Sequence, residues 1–180
     1  MRSANEAQRV LDNADLICSA AQVDAAIDRV AAEVSARLGR VYPLVLSVMG
    51  GAIVFAGQLL PRLRFPLDLD YVHATRYRNA TQGSAIEWKV MPKEDIHGRV
   101  VLVLDDILDE GYTLAAVREK LLDMGASQFY SAVLAEKELG TNKPIKADFI
   151  GLQLPNRYVF GCGMDVHGMW RNLPEIYALK

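Results

Sequence analysis

Val100-Val101-Leu102-Val103-Leu104-Asp105-Asp106-Ile107-Leu108-Asp109-Glu110-Gly111-Tyr112-Thr113 is the stretch that decides the fold. Its first five residues are uninterrupted valine and leucine, as in a strand buried on both faces, and predict a strand from Val100 to Leu104. Four acids, Asp105, Asp106, Asp109 and Glu110, crowd in behind it. Beyond Gly111 and Thr113, the residues Leu114, Val117, Leu121 and Met124 recur on one helical face, which predicts a helix from Leu114 to Met124 with Gly125 as its stop. Strand, acidic turn, glycine and helix form a βα unit, and open α/β sheets bind ligands beyond the carboxyl ends of their strands. Glycine allows a backbone to approach a ligand closely, and the free N–H groups of a helix start bind phosphate. Carboxylates suit a divalent cation or hydroxyl groups. One ligand carrying a phosphate, vicinal hydroxyls and bound magnesium would use both capabilities. A merely solvated acidic turn fits less well, because unpaired carboxylates are costly beside a buried strand.

The flanking sequence repeats the alternation. Val23, Ile27, Val30, Val34 and Leu38 share one stripe of a helix running from about Ser19 to Leu38, opened by a Ser19/Gln22 capping box and ended by Gly39 in a left-handed conformation. Leu44 to Val48 reads as a buried strand, Gly50 and Gly51 as a turn, and Ala52 to Leu60 as a helix stopped by Pro61. Leu67 to Tyr71 and Ile86 to Val90 alternate apolar with polar residues, as half-buried strands do. Phe129 to Leu134, Phe149 to Leu154 and Tyr158 to Met164 complete the strands. Strands alternating with helices imply an α/β fold with a parallel sheet covered on both faces.

Composition narrows the function classes. With 180 residues, 20 basic and 22 acidic, the chain suits one domain and lacks the basic surplus of a nonspecific nucleic-acid binder. Cys18 and Cys162 are its only cysteines, far apart and without a CxxC, so two reduced thiols in an intracellular protein are expected rather than a disulfide framework or a zinc site. The start, MRSANEAQRV, lacks the apolar stretch of a signal peptide, and no apolar run reaches membrane-spanning length. An EF-hand loop fails because Glu110 stands at the required glycine and Ala116 at the bidentate glutamate. No P-loop, dinucleotide fingerprint or HExxH occurs.

The segment from Val100 to Thr113 resembles the phosphoribosyl-pyrophosphate-binding signature of the type I phosphoribosyltransferases, and the chain from Leu16 onward looks most like their hypoxanthine-guanine branch. The resemblance implies a parallel-sheet type I phosphoribosyltransferase fold with helices on both faces and a small hood formed by terminal segments. It implies a single domain over 1–180, with a core over about 40–154 and a hood from the N-terminal segment and about 155–180. The implied activity is purine salvage, in which phosphoribosyl pyrophosphate and hypoxanthine or guanine give IMP or GMP plus pyrophosphate. Another phosphoribosyltransferase, for xanthine, adenine or a pyrimidine, stays open, as does an RNA-binding regulator of the same fold. The implied cofactor is Mg2+. The implied partners are phosphoribosyl pyrophosphate and a 6-oxopurine, without nucleic acid or membrane, in a cytoplasmic homodimer or homotetramer.

The same resemblance assigns the site residues. Asp105 and Asp106 bind the ribose hydroxyls directly or through the metal, with Asp165 as a further metal ligand and a contact to the base. Asp109 is the general acid/base near purine N7, and Asp109, Glu110, Gly111, Tyr112 and Thr113 wrap the 5-phosphate. Met49, Gly50 and Gly51 form the pyrophosphate loop, with a cis peptide expected between Val48 and Met49. Arg76 and Tyr77 begin a closing loop, and Arg171 reaches pyrophosphate. Lys137 donates to the purine 6-oxo group, while Tyr158 and Val159 stack on the base and offer backbone groups to its edge. Three departures from the family pattern stand out: Met49 where lysine is frequent, Glu110 and Tyr112 in the phosphate loop, and Asp105 in place of a common glutamate. An acid facing a phosphate would repel it, so Glu110 is expected to turn its side chain away and offer only its N–H.

Overall fold

The computed structural model describes residues 3–76 and 86–180. Its elements in chain order are α1 (Ala4–Asp12), β1 (Ala14–Cys18), α2 (Ala20–Leu38), β2 (Leu44–Val48), α3 (Ile53–Leu59), β3 (Asp68–Arg76), β4 (Ile86–Val90), β5 (Val100–Leu108), α4 (Tyr112–Asp123), β6 (Gln128–Lys137), β7 (Phe149–Leu154), β8 (Val159–Phe160) and β9 (Ile176–Leu179). A six-stranded sheet runs β4-β3-β2-β5-β6-β7. All its pairings are parallel except β3 with β4. A three-stranded antiparallel sheet, β1-β9-β8, joins the two ends of the chain.

The uninterrupted apolar strands serve two cores at once. Val45, Leu102, Leu104 and Leu134 pack with the stripe of α2 and with Phe55 and Leu59 of α3. Their neighbours Leu44, Leu46, Val101, Val103 and Val133 pack with Leu114, Val117 and Leu121 of α4. Successive side chains point to opposite faces of a strand, so a strand covered by helices on both sides needs an apolar residue at every position.

Several boundaries differ from the sequence expectation. β5 runs to Leu108 rather than Leu104, because its ladder with β6 continues through Asp105↔Val133, Ile107↔Ala135 and Leu108↔Glu136. The acidic pair therefore lies in the strand, not in the loop behind it. β6 likewise reaches Lys137 instead of stopping at Leu134. The strand expected over Tyr158 to Met164 shrinks to Val159–Phe160, with one isolated bridge, Gly161↔Met164, beyond it. Gly39 caps α2 at a right-handed φ of −64°, so its use is close approach, a β-carbon there colliding with the Ser35 carbonyl, rather than left-handed freedom. Gly125, at φ +91°, does use that freedom. Cys18 and Cys162 are both free and buried, and burial pushes the Cys162 thiol up to about 12. Among the described residues no helix is long and apolar enough to cross a membrane.

Candidate active site

The topology places the site. From β2 the chain crosses through α3 to β3, and from β5 through α4 to β6, on opposite faces and in opposite directions across the sheet. The order reverses between β2 and β5, and such a switch point opens a crevice at the carboxyl ends of the two strands. A cavity of about 290 Å3 lies there. Its lining includes Val48, Met49 and Gly51 from the end of β2, the run from Asp105 to Leu114, and Arg171. A second cavity, of about 230 Å3, is lined by Lys137, Tyr158, Val159, Met164 and Asp165 together with Asp106, Ile107 and Asp109. Those last three residues line both cavities.

The floor of the first cavity is a close-packed stack. A β-carbon on Gly51 would collide with the Asp106 carboxylate, and one on Gly163, at φ +103°, would collide with the Gly51 carbonyl. The Gly163 carbonyl accepts a 2.5 Å hydrogen bond from Arg171 Nη1, and Arg171 Nη2 lies 2.5 Å from Asp165 Oδ1. Asp106, the β2 loop and the arm that carries Arg171 thus rest on one another. The cis peptide of this loop is Met49–Gly50, one residue beyond the expected Val48–Met49 bond.

Charge is held at some cost. Burial pushes the Asp105 carboxyl well above the usual carboxylate range, and the Asp106 charge beside it adds to the rise. Burial also raises Asp106, against the opposing effects of hydrogen bonds from neighbouring groups and the Arg171 charge. Two backbone donors sit close by: Asp106 N–H to Asp105 Oδ1 at 2.9 Å and Ile107 N–H to Asp106 Oδ1 at 2.8 Å. Asp109, by contrast, reaches Lys137 Nζ at 2.7 Å. Gly111 takes φ +86° as the N-cap of α4 and offers no side-chain cap, and the first backbone bond of that helix is Ala115 N–H to the Gly111 carbonyl. The amides of Thr113 and Leu114 precede that bond and belong to the electropositive end of the helix, where an anion is favoured.

Residues 19–167 match the phosphoribosyl transferase domain. The chain belongs to the phosphoribosyltransferase family. This phosphoribosyltransferase is 30% identical over 167 residues to the hypoxanthine-guanine phosphoribosyltransferase of Bacillus subtilis (strain 168), covering 92% of each chain. It is 30% identical over 177 residues to a hypoxanthine-guanine-xanthine phosphoribosyltransferase of Tritrichomonas foetus, covering 98% of this chain and 93% of the other. A solved hypoxanthine phosphoribosyltransferase from Staphylococcus aureus superposes with a TM-score of 0.88 at 21% identity, over 100% of this chain and 96% of the other, and bears on the fold.

Most residues singled out from the sequence of this phosphoribosyltransferase meet at the two cavities. Asp105, Asp106, Met49, Gly51, Arg171 and the turn from Asp109 to Thr113 line the first, with Glu110 and Tyr112 as its exposed members. Lys137, Tyr158, Val159 and Asp165 line the second. Asp165 does not gather with Asp105 and Asp106 into a common ligand set. Its Oδ1 meets Arg171 and its Oδ2 accepts from the Gly168 N–H at 2.5 Å, and no metal-holding group of three acids, histidines or cysteines occurs among the described residues. Arg76 ends β3, and Tyr77, with the rest of the expected closing loop up to β4, lies outside the described residues.

Sequence reasoning missed Ile107, shared by both cavities, and Met164, which lines the second. Both are apolar, and nothing local separates them from core residues. It also missed His167, whose ring stacks with Tyr158 at 6.4 Å between centroids, at a backbone φ of +53°.

Proposed function

We propose that this enzyme transfers a phosphoribosyl group from phosphoribosyl pyrophosphate to hypoxanthine or guanine, giving IMP or GMP and pyrophosphate, in purine salvage. The observation that carries the reading is the junction of the two cavities at Asp106, Ile107 and Asp109. A sugar seated there reaches the α4 amides with its 5-phosphate and the Met49–Gly51 loop and Arg171 with its pyrophosphate. It meets the base from the other side. The relatives named above act on hypoxanthine and guanine by their names, which supports the same choice here.

The base cavity explains the choice chemically. Tyr158 is 50% exposed and provides an aromatic surface for a purine, with buried Val159 beside it. Lys137 Nζ carries three donors and gives one to Asp109, so others remain for an acceptor oxygen at C6. An amino group at that position offers hydrogens to an ammonium ion, and the mismatch rejects adenine. Asp109 takes or gives the N7 proton while N9 attacks the sugar carbon. Arg171 offsets charge on the leaving pyrophosphate.

Asp105 and Asp106 fit magnesium. They are two carboxylates short of positive charge, and this ion is usually held by one or two protein carboxylates with substrate phosphates and water completing its shell. When bound, it supplies positive charge to the departing pyrophosphate. Asp165 contributes by holding Arg171 and facing the base. The enzyme works in the cytoplasm as a homodimer or homotetramer, without nucleic-acid or membrane partners. The test is pyrophosphate release with magnesium, phosphoribosyl pyrophosphate and each free base. Hypoxanthine and guanine are expected to release it, with adenine far behind. A preference for adenine or a pyrimidine would overturn the reading.

A further inference from the structure

Lys143 lies in the loop between β6 and β7, and its side chain is only 9% exposed. Its ammonium donates to the Leu108 carbonyl at 3.0 Å, the Lys137 carbonyl at 2.7 Å and Glu136 Oε1 at 3.1 Å. A lysine has three N–H donors, and these contacts use all of them. Glu136 is steadied in turn by Gln153 of β7, whose Nε2 donates to its Oε2 at 3.1 Å. The two carbonyls have a particular place. Leu108 immediately precedes Asp109, and Lys137 is the lysine that meets Asp109. The ladder of β5 with β6 ends at Leu108↔Glu136, and the Leu108 carbonyl at that end and the Lys137 carbonyl one residue past it both accept from Lys143. One buried cation therefore ties together the backbones that carry both members of the Asp109–Lys137 pair.

We propose that Lys143 is a positioning residue: by bridging the Leu108 and Lys137 carbonyls it sets the spacing of Asp109 and Lys137, and with it the preference for a base that presents an acceptor oxygen. The effect on base choice rests on the 6-oxopurine reading; the effect on the pair does not. Lys143 touches neither the sugar cavity nor the base cavity. Of the residues whose carbonyls it holds, Lys137 lines the base cavity and Leu108 the sugar cavity, so its loss should act mainly on the base, through the Lys137–Asp109 pair, and more weakly on the sugar diphosphate.

Lys143→Met keeps the length of the side chain and removes the cation. In this variant KM for hypoxanthine should rise about tenfold or more while KM for phosphoribosyl pyrophosphate stays within about twofold. The preference for hypoxanthine over adenine should fall with it. Lys143→Arg, which keeps charge and donors, should recover most of the loss. A crystal structure of ligand-free Lys143→Met should show the 2.7 Å contact between Lys137 and Asp109 broken or lengthened. If Lys143→Met does not fold, Lys143→Gln is measured in the same way. Equal rises in both KM values, or a fall in maximal rate that tracks the loss of folded protein with both KM values unchanged, overturn the proposal. So does an intact Lys137–Asp109 contact with unchanged base preference. If the wild-type enzyme turns over no 6-oxopurine, the functional reading falls, while the crystallographic comparison still decides whether Lys143 holds the pair.

Discussion

Asp105 and Asp106 illustrate how single residues divide labour between folding and chemistry. Burial raises both carboxyls above the ordinary aspartate value of 3.8, and the Asp106 charge adds to the rise of Asp105. Between that value and the raised one, the folded chain binds more protons than the unfolded chain, so the pair's contribution to stability falls as pH rises. It is fully present only below 3.8. Asp105→Asn should therefore melt higher than wild type at pH 7, with the difference vanishing near pH 3–4, while transfer activity drops; each 1 kcal/mol gained would appear as about 2–4 °C in a calorimetric scan. A lower Tm for the variant at pH 7 would contradict this account. Magnesium with phosphoribosyl pyrophosphate should raise the Tm of wild type and much less that of the variant, since a ligand stabilises the state it binds. Asp109 belongs to the opposite class, bonded to Lys137 and facing both cavities. Asp109→Asn should lower kcat by about 100-fold or more and leave IMP affinity within about threefold, as steady-state kinetics and calorimetric titration would show. Turnover at the wild-type rate would remove Asp109 from the chemistry.

At the scale of elements, what could be read from the sequence depended on whether the signal was local. The Ser19/Gln22 capping box is local, and it is present as expected: Gln22 N–H donates to Ser19 Oγ, and Ser19 N–H to Gln22 Oε1 at 2.8 Å. Ser19→Ala should cost about 1 kcal/mol in urea unfolding and leave both KM values unchanged. A shifted KM would mean that α2 reaches the site. The same box opens α1 at Ser3 and Glu6, yet the helix escaped notice because none of its residues is fully buried and its apolar stripe is short. β9 was missed for another reason: its four residues pair with β8 and, across most of the chain, with β1, and pairing of such long range leaves no local pattern. Asp105 and Asp106 were placed in the turn behind the strand, whereas the strand runs on through them to Leu108; Asp109 and Glu110 do lie beyond its end. Polar residues usually end a strand, and here the ladder with β6 carries them inward. Asp109 could be singled out because it lies inside the signature from Val100 to Thr113; Lys137, Tyr158 and Val159 lie outside it and were reached only through the wider family resemblance. Lys143 was not, since its partner Leu108 lies 35 residues away and its setting, Thr141-Asn142-Lys143-Pro144, reads as an ordinary polar turn.

For the whole molecule, the question is which surfaces are finished. The β7 edge of the large sheet is partly closed from above, since the Arg29 guanidinium on α2 donates to the Ile150 and Gly151 carbonyls. This use of a charged side chain discourages edge-to-edge pairing. The face of β3 is less complete. Leu69 and Tyr71 pair with Val45 and Ser47 of β2, and paired residues of parallel strands point to the same side. Val45 packs there with Phe55 and Leu59 of α3, in a core that does not take in Leu69 or Tyr71. Leu69 is left 54% exposed, Tyr71 38% and Ile53 of α3 53%. Apolar groups contiguous with a core and open to water mark surfaces where proteins associate. In a closed dimer the same patch meets its own copy, so one substitution acts on both sides of the interface. Leu69→Glu would then bury two like charges at the contact. If the proposed homodimer or homotetramer uses this face, sedimentation velocity should show a smaller species for this variant than for wild type, with kcat for hypoxanthine reduced by less than about tenfold, because neither cavity contains Leu69. An unchanged sedimentation coefficient for Leu69→Glu would exclude this face as the interface and direct the search to the other exposed apolar residues, Leu16 on the small sheet among them.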